Sequence, residues 1–288
     1  MGGGSRARNK GLRKTTGTLV YFMDSDDWIE PQCFAKCWEA YTQSRADIIQ
    51  FGFCVWRNGA KSLVPLEGRI VEGEDVRREY AAQIVGYGEK ALRHYYEHGN
   101  LGNYKKDGYV WCFMFSRSML SAHGIVFPET AKMGEDGMFV VESAIFANRI
   151  HCIEDTFYNY ELKDGGAFLS RINNPDKMLY DKQALVPLRA RLRTMVKTFD
   201  LHDHYFVSQV FSALQLCLAL SCSLNNYQKL ASYVYDMRVV ESFDKIQLDG
   251  APLKFKIPVS LIKHKLTGVL FFLCWTARKC GLSAKLKM

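Results

Sequence analysis

The chain has 288 residues, 48% of them hydrophobic and 13% aromatic, enough to bury one large core or two smaller ones. Its formal charge of +8 is concentrated: from residue 245 onward nine basic residues face the single acid Asp249, while everything upstream balances. The excess therefore says nothing about the rest of the chain. No stretch reaches the ~18 continuous apolar residues of a membrane span, and Met1–Arg6 lacks the apolar core of a secretory signal. The nine cysteines form no Cys-x-x-Cys pair, which points to reduced, buried thiols in a cytosolic protein.

In chain order, the Gly2-Gly3-Gly4 run leads into a short basic helix that Gly17 is expected to end. A glycine-rich loop before a helix can cradle phosphate. Gly-Lys-Ser/Thr at P-loop spacing is absent, so Walker chemistry is excluded. Next, Leu19-Val20-Tyr21-Phe22-Met23 runs into Asp24-Ser25-Asp26-Asp27-Trp28. The apolar run reads as a buried strand, with its carboxylates at the end where open α/β sheets bind ligands. Like charges this close raise each other's pKa unless a cation holds them, and the simplest such cation is a hard divalent metal with oxygen ligands. The competing reading is a solvated acidic turn that caps the next helix.

Pro31 opens a helix over 32–44. A strand follows over 46–56, then a hairpin at Asn58-Gly59, a polar partner strand over 61–71 and a helix over 73–97. Val110–Phe115 is a third apolar strand. Gly134-Glu135-Asp136 opens a helix to about Asn148, where the two acids also suit a helix N-terminus. A strand pair is expected at 151–153 and 157–160. After Asn173-Asn174-Pro175 the spacing is helical only, over 176–198, 204–224 and 228–242. This divides the chain into 1–170, α/β, and 171–288, helical. The apolar stretch Leu266–Ala277 has cationic flanks. It either lies in a membrane interface or packs as a last helix with its lysines in solvent.

Three other chemistries compete for these residues. An EF-hand fits Asp24 and Asp26 but fails at Ile29 and Ala35, where Gly and Glu are needed. A haloacid-dehalogenase-like phosphatase fits the strand and Asp-x-Asp, but Asp27 stands where its pattern has Thr or Val. The basic tail contains no recognised nucleic-acid module, so no nucleic acid is expected as a partner.

Ala7-Arg8-Asn9-Lys10-Gly11, Gly17, the apolar strand, Asp24-Ser25-Asp26-Asp27-Trp28-Ile29 and Pro31 together resemble the middle of the family-two glycosyltransferases. Trp111, Phe127-Pro128 and Gly134-Glu135-Asp136 follow in that family's order, and Tyr158-Asn159-Tyr160 with Ser170-Arg171 resembles its segment after the catalytic helix. The resemblance implies a partial GT-A fold, Rossmann-like with a mixed sheet, before the helical region. It implies an inverting transferase that moves a sugar from a nucleotide-sugar donor, a UDP-sugar first among them, to a glycan or lipid-linked acceptor in surface polysaccharide synthesis.

The same resemblance assigns residues. Asp26, with Asp24, holds Mg²⁺ or Mn²⁺ at the donor diphosphate, and Asp24 also contacts the sugar or ribose side. Arg8 and Asn9 belong to the donor site, Arg8 near the phosphates and Asn9 orienting the loop. Asp136 is the general base, with Glu135 second for that role. Trp111 is an acceptor-sugar platform or, equally, a core residue. The family's opening third, with its nucleotide-binding strands, has no counterpart in this chain. The expectation is thus an N-terminally truncated transferase with an open sheet edge; the alternative is a non-catalytic remnant that docks on a membrane or a partner. Localisation is expected to be cytoplasmic, peripheral on the inner face of the membrane.

Overall fold

Apolar runs bounded by turn residues become strands, and stretches with helical spacing become helices. The computed structural model describes residues 3–104, 106, 108–163, 170, 173–195 and 199–280; Arg171 of the family resemblance and the final lysines Lys285 and Lys287 lie outside them. The chain divides into two units, Met1–Ile84 with Asp107–Gly166, and Val85–Lys106 with Ala167–Met288. Residues 85–106 thus group with the helical region, although their sequence position lies within 1–170.

The first unit opens with α1 (Gly4–Leu12), which takes in Gly4 and ends well before Gly17. Seven strands follow: β1 (Leu19–Tyr21), β2 (Trp28–Ile29), β3 (Ile48–Arg57), β4 (Ala60–Val64), β5 (Arg69–Glu72), β6 (Phe113–Ser116) and β7 (Arg149–Glu161). The sheet order is β1-β6-β3-β7-β2, with β4 added on β3 and β5 on β7. Only β3 and β7 run parallel; the other pairs are antiparallel, so the sheet is mixed as expected. Its helices are α2 (Cys33–Ser44) and α3 (Glu74–Val76, continuing through a π-helical stretch Arg77–Ala82 into Gln83–Val85). After α4 (Glu89–His98), which belongs to the second unit, come α5 (Arg117–Ala122) and α6 (Glu135–Phe146).

Several local readings change. The strand expected over 61–71 is two strands, because Pro65 cannot donate to a ladder. β4 closes the Asn58-Gly59 hairpin onto β3, and β5 pairs with β7 instead. The strand pair at 151–160 is the single long strand β7, whose register against β3 shifts at Gly52. A Cβ on Gly52 would lie 2.7 Å from the Val64 carbonyl and 2.8 Å from Thr156 Cγ2, so only glycine admits this irregularity. Val110–Cys112 is a 3-10 turn leading into β6.

The core of this unit gathers at the end of β1. Phe127 stacks on Phe139 at 4.0 Å, and Phe22 meets both edge-on at 4.9 and 5.4 Å. Phe115 of β6 packs edge-on against Phe139 at 5.2 Å. Such pairs add about 0.5–1.5 kcal/mol each beyond their area burial. They fasten β1, the 125–128 segment and α6 together, which fixes the frame from which Asp24 and Asp136 project.

The second unit contains α4, α7 (Pro175–Met195), α8 (Phe199–Leu220), α9 (Tyr227–Val234), α10 (Met237–Lys245), α11 (Leu253–Lys263) and α12 (Thr267–Lys279). α8 packs against α7, α9, α10 and α12, and Val210, Leu214 and Leu216 are buried on it. The helix expected over 73–97 breaks at Gly86-Tyr87-Gly88. The helix expected over 228–242 breaks at Asp236, whose carboxylate accepts from Arg238 N at 2.9 Å and caps α10. Among the described residues no helix is long and apolar enough to cross a membrane. Seven of the nine cysteines are buried and none is in a disulfide.

Candidate active site

The chain leaves the sheet after β1 and turns through Asp24–Asp27, with Asp27 N donating to Asp24 O at 3.4 Å. The three carboxylates then part company. Asp27 points to β7, where it accepts from Tyr158 Oη at 2.5 Å and from Glu161 N at 3.0 Å. Burial pushes its pKa up, these two bonds pull it down, and Asp26 and Asp24 add to the rise. Burial and then the bond to Asp27 push Tyr158 upward, so its hydroxyl stays a donor. Asp27 is therefore the anchor of the turn, and the short β2 that follows pairs with β7 at Asn159 and Tyr158. Asp26 faces outward with its side chain 60% exposed, 3.5 Å from Lys163 Nζ. Asp24 faces Arg8.

Arg8 organises the rest. Its Nη2 donates to Asp24 Oδ1 at 2.7 Å and its Nη1 to Asp136 Oδ1 at 2.9 Å, with Glu135 Oε1 3.8 Å away. The guanidinium also lies 5.4 Å from the Phe127 ring centroid. Burial alone would lower its pKa, but Asp136, Asp24 and Glu135 outweigh that and raise it. A single fork-shaped cation thus joins carboxylates 16 and 128 residues away in sequence.

Asp136 stands in the first turn of α6, after Gly134 at φ 85°, a left-handed conformation that favours glycine. Burial pushes the Asp136 carboxyl up to about 7. Arg8 and the Val110 backbone N–H oppose that shift, while Glu135 and Asp24 reinforce it. Three carboxylates share one guanidinium, and holding a proton on Asp136 relieves the excess negative charge. A carboxyl that titrates near neutrality is suited to taking a proton from a hydroxyl.

Asn9 and Trp111 both hold structural positions. Asn9 is buried, with its Nδ2 donating to Phe127 O at 2.9 Å and its Oδ1 accepting from Phe127 N at 2.8 Å. Its amide clamps the 125–128 segment to α1 and so positions Arg8, one residue before it, rather than reaching a ligand. Trp111 is only 5% exposed. It stacks on Tyr109 at 4.9 Å and on Tyr158 at 4.2 Å, while its carbonyl accepts from Tyr21 Oη at 3.0 Å. The ring of that stack with a surface to offer is Tyr109, 40% exposed.

Phe127 and Tyr158 stand in the family's motifs with no role given to them there, and Glu129 and Lys163 carry no sequence signal for this site. Glu129 accepts from Arg6 Nε at 2.8 Å and from Asn9 Nδ2 at 3.3 Å. Bonds from Arg6 and Asn9 hold its carboxyl below the usual range. No spacing rule links Asn9 with Phe127 or Asp27 with Tyr158; each contact exists only after the chain has closed.

Among the described residues no three His, Cys, Asp or Glu side chains gather as a metal cluster. Mg²⁺ does not require one, since it usually takes one or two carboxylates and completes its shell with water and substrate phosphates. Asp26, outward-facing and opposite a lysine that can swing away, has the chemistry of such a ligand. Asp24 has its second oxygen for the same use.

The mixed sheet, with an acidic turn after β1 and an acid at the head of α6, defines a GT-A-like α/β domain followed by a helical region. Residues 2–124 match the sequence model of glycosyl transferase family 2. It is similar to the glycosyltransferase EpsJ of Bacillus subtilis (strain 168), 24% identical over 162 residues, which are 55% of this chain and 42% of that protein. It is also similar to the poly(ribitol-phosphate) beta-N-acetylglucosaminyltransferase TarS of Staphylococcus aureus (strain Mu50), 22% identical over 187 residues, 64% of this chain and 28% of TarS. The chain thus spans less than half the length of these relatives. The crystal structure of S. aureus TarS 1-349 in complex with UDP-GlcNAc shares the fold, with a TM-score of 0.59 at 14% identity over 97% of this chain and 73% of that one.

Proposed function

We propose that this chain is an inverting glycosyltransferase that takes a sugar from a nucleotide-sugar donor, a UDP-sugar, and passes it to a hydroxyl of a glycan or lipid-linked acceptor in surface polysaccharide synthesis at the cytoplasmic face of the membrane. The observation that carries this reading is the Arg8 bridge, which brings the acidic turn and Asp136 into one cluster. The family match and the nucleotide-sugar complex of the TarS structure support the donor class.

In this reading Asp136 removes the proton from the acceptor hydroxyl as its oxygen attacks the anomeric carbon. The bond from that carbon to the diphosphate breaks, and the nucleoside diphosphate departs with the electron pair, leaving the configuration inverted. Arg8 keeps Asp136 and Asp24 aligned, and Glu135 holds negative potential beside the base. The cluster is already rich in negative charge, so an anionic diphosphate needs a cation to approach it. Asp26 and Asp24 would hold Mg²⁺ or Mn²⁺, which when bound neutralises charge on the leaving group.

Isothermal titration with UDP-N-acetylglucosamine and other UDP-sugars, with and without Mn²⁺, tests this. Metal-dependent binding that Asp26→Asn removes and Asp136→Asn retains is the expected result. Absence of metal-dependent binding by any UDP-sugar would overturn the donor site and leave a non-catalytic docking module.

A further inference from the structure

We propose that the outward face of α11 and α12 docks flat on an anionic membrane surface. Both helices are two-sided. α11 buries Phe255, Val259 and Ile262, and leaves Leu253 70% and Ile257 52% exposed. At 100° per residue, Leu253, Ile257, Ser260 and His264 form one stripe opposite the buried set. With Lys256 and Leu266 they line a shallow 380 Å³ hollow. α12 repeats the pattern, burying Leu270, Phe271 and Cys274 while Val269, Phe272 and Leu273 stand about half exposed at 49%, 52% and 52%. Leu266, 48% exposed, sits between the two stripes and accepts from Val269 N at the head of α12. Large apolar side chains concentrated this way on consecutive helices exceed the scatter normal on a surface.

Charge decides what covers this face. Lys256, Lys263, Lys265 and Lys279 are exposed around it, and among the described residues no carboxylate pairs with them. From residue 245 onward the only acid is Asp249. A second copy of the chain would set these cations against themselves. An anionic phospholipid surface meets both demands, since headgroups take the lysines and the acyl boundary takes the apolar stripe. The inference goes beyond the proposed sugar transfer and stands independently of it.

The test is flotation of the full chain with vesicles of phosphatidylcholine alone and with added phosphatidylglycerol. The chain should float with the anionic vesicles only, and less so as salt rises. Charge reversal at Lys256, Lys263 or Lys265 should weaken partitioning about fivefold per site or more. Phe272→Ser or Leu273→Ser should weaken it about tenfold. All these positions are exposed, so circular dichroism should be unchanged. Equal binding to neutral vesicles, binding indifferent to these substitutions, or no flotation would each overturn the proposal. So would self-association in sedimentation equilibrium that Phe272→Ser abolishes while vesicles are ignored; that outcome assigns the face to a second copy.

Discussion

Charge is used in opposite ways in the two regions. In the sheet unit the charged side chains around the acidic turn are held by defined partners: Arg8 by Asp24 and Asp136, Asp27 by the Tyr158 hydroxyl and the Glu161 backbone N–H, Glu129 by Arg6 and the Asn9 amide. On α11 and α12 the lysines stand in solvent, with no carboxylate partner among the described residues. Charges of the first kind set geometry, so changing one disturbs both the fold and the chemistry. Charges of the second kind cost the fold almost nothing and matter only to what comes near. This contrast can be tested by substitution, and the expected effects fall in a definite order.

The largest effect is at Asp136. Asp136→Asn should lower turnover by about 10²–10⁴-fold while donor binding persists, measured as kcat beside a titration; retained transfer would remove Asp136 as the base. In the unaltered protein the rate should climb as pH passes about 7 and Asp136 loses its proton. The same shift bears on stability. A carboxyl held above its unfolded value of 3.8 favours folding below that pH and loses this contribution as pH rises toward 7. As pH rises from 4 to 7 the stability difference between Asp136→Asn and the parent should therefore shift toward the variant, by about 1–3 kcal/mol, read from urea denaturation at each pH.

Arg8→Lys comes next. A point charge cannot bridge two carboxylates as a planar fork does, so turnover should drop and the acid limb of the pH profile should move upward. An unchanged pH profile would show that Arg8 does not organise the pair. Asn9→Ala leaves both Phe127 backbone groups without their partner and should cost about 1–3 kcal/mol by denaturation, with activity falling as Arg8 loses its support. Lys163→Ala should be mild, tightening Mn²⁺ binding by no more than about fivefold, since exposed pairs contribute up to about 1 kcal/mol. Smallest of all, Lys256→Glu should leave stability within about 0.5 kcal/mol. A large loss there would erase the contrast between the regions.

Much of this was legible in the chain. The run into Asp24-Ser25-Asp26-Asp27 is a strand and turn because an apolar, branched and aromatic run ends on carboxylates, and Gly134-Glu135-Asp136 starts a helix because acids and a left-handed glycine belong there. The division of labour inside the acidic turn was not legible. Asp24, Asp26 and Asp27 look alike in sequence, and only β7 singles out Asp27 by presenting Tyr158 and Glu161. The choice between platform and core for Trp111 was not legible, because its cover is supplied by Tyr109 and Tyr158. The break at Gly86–Gly88, which groups α4 with the helical unit, is marked by its glycines, yet nothing local says to which unit the next helix belongs.

The Asn9–Phe127 clamp spans 118 residues of sequence, and this has a consequence for the order in which the protein assembles. Contacts so distant along the chain are late events in folding, because the intervening loop must close before they return any free energy. α1 can settle only after the Phe127 segment has been laid against Phe139. The cluster around Arg8 is then among the last parts to form and, held by a few long-range contacts, among the first to open. Hydrogen exchange should show the amides of α1 less protected than those of β3, with the Arg8 bridge present or absent as one piece.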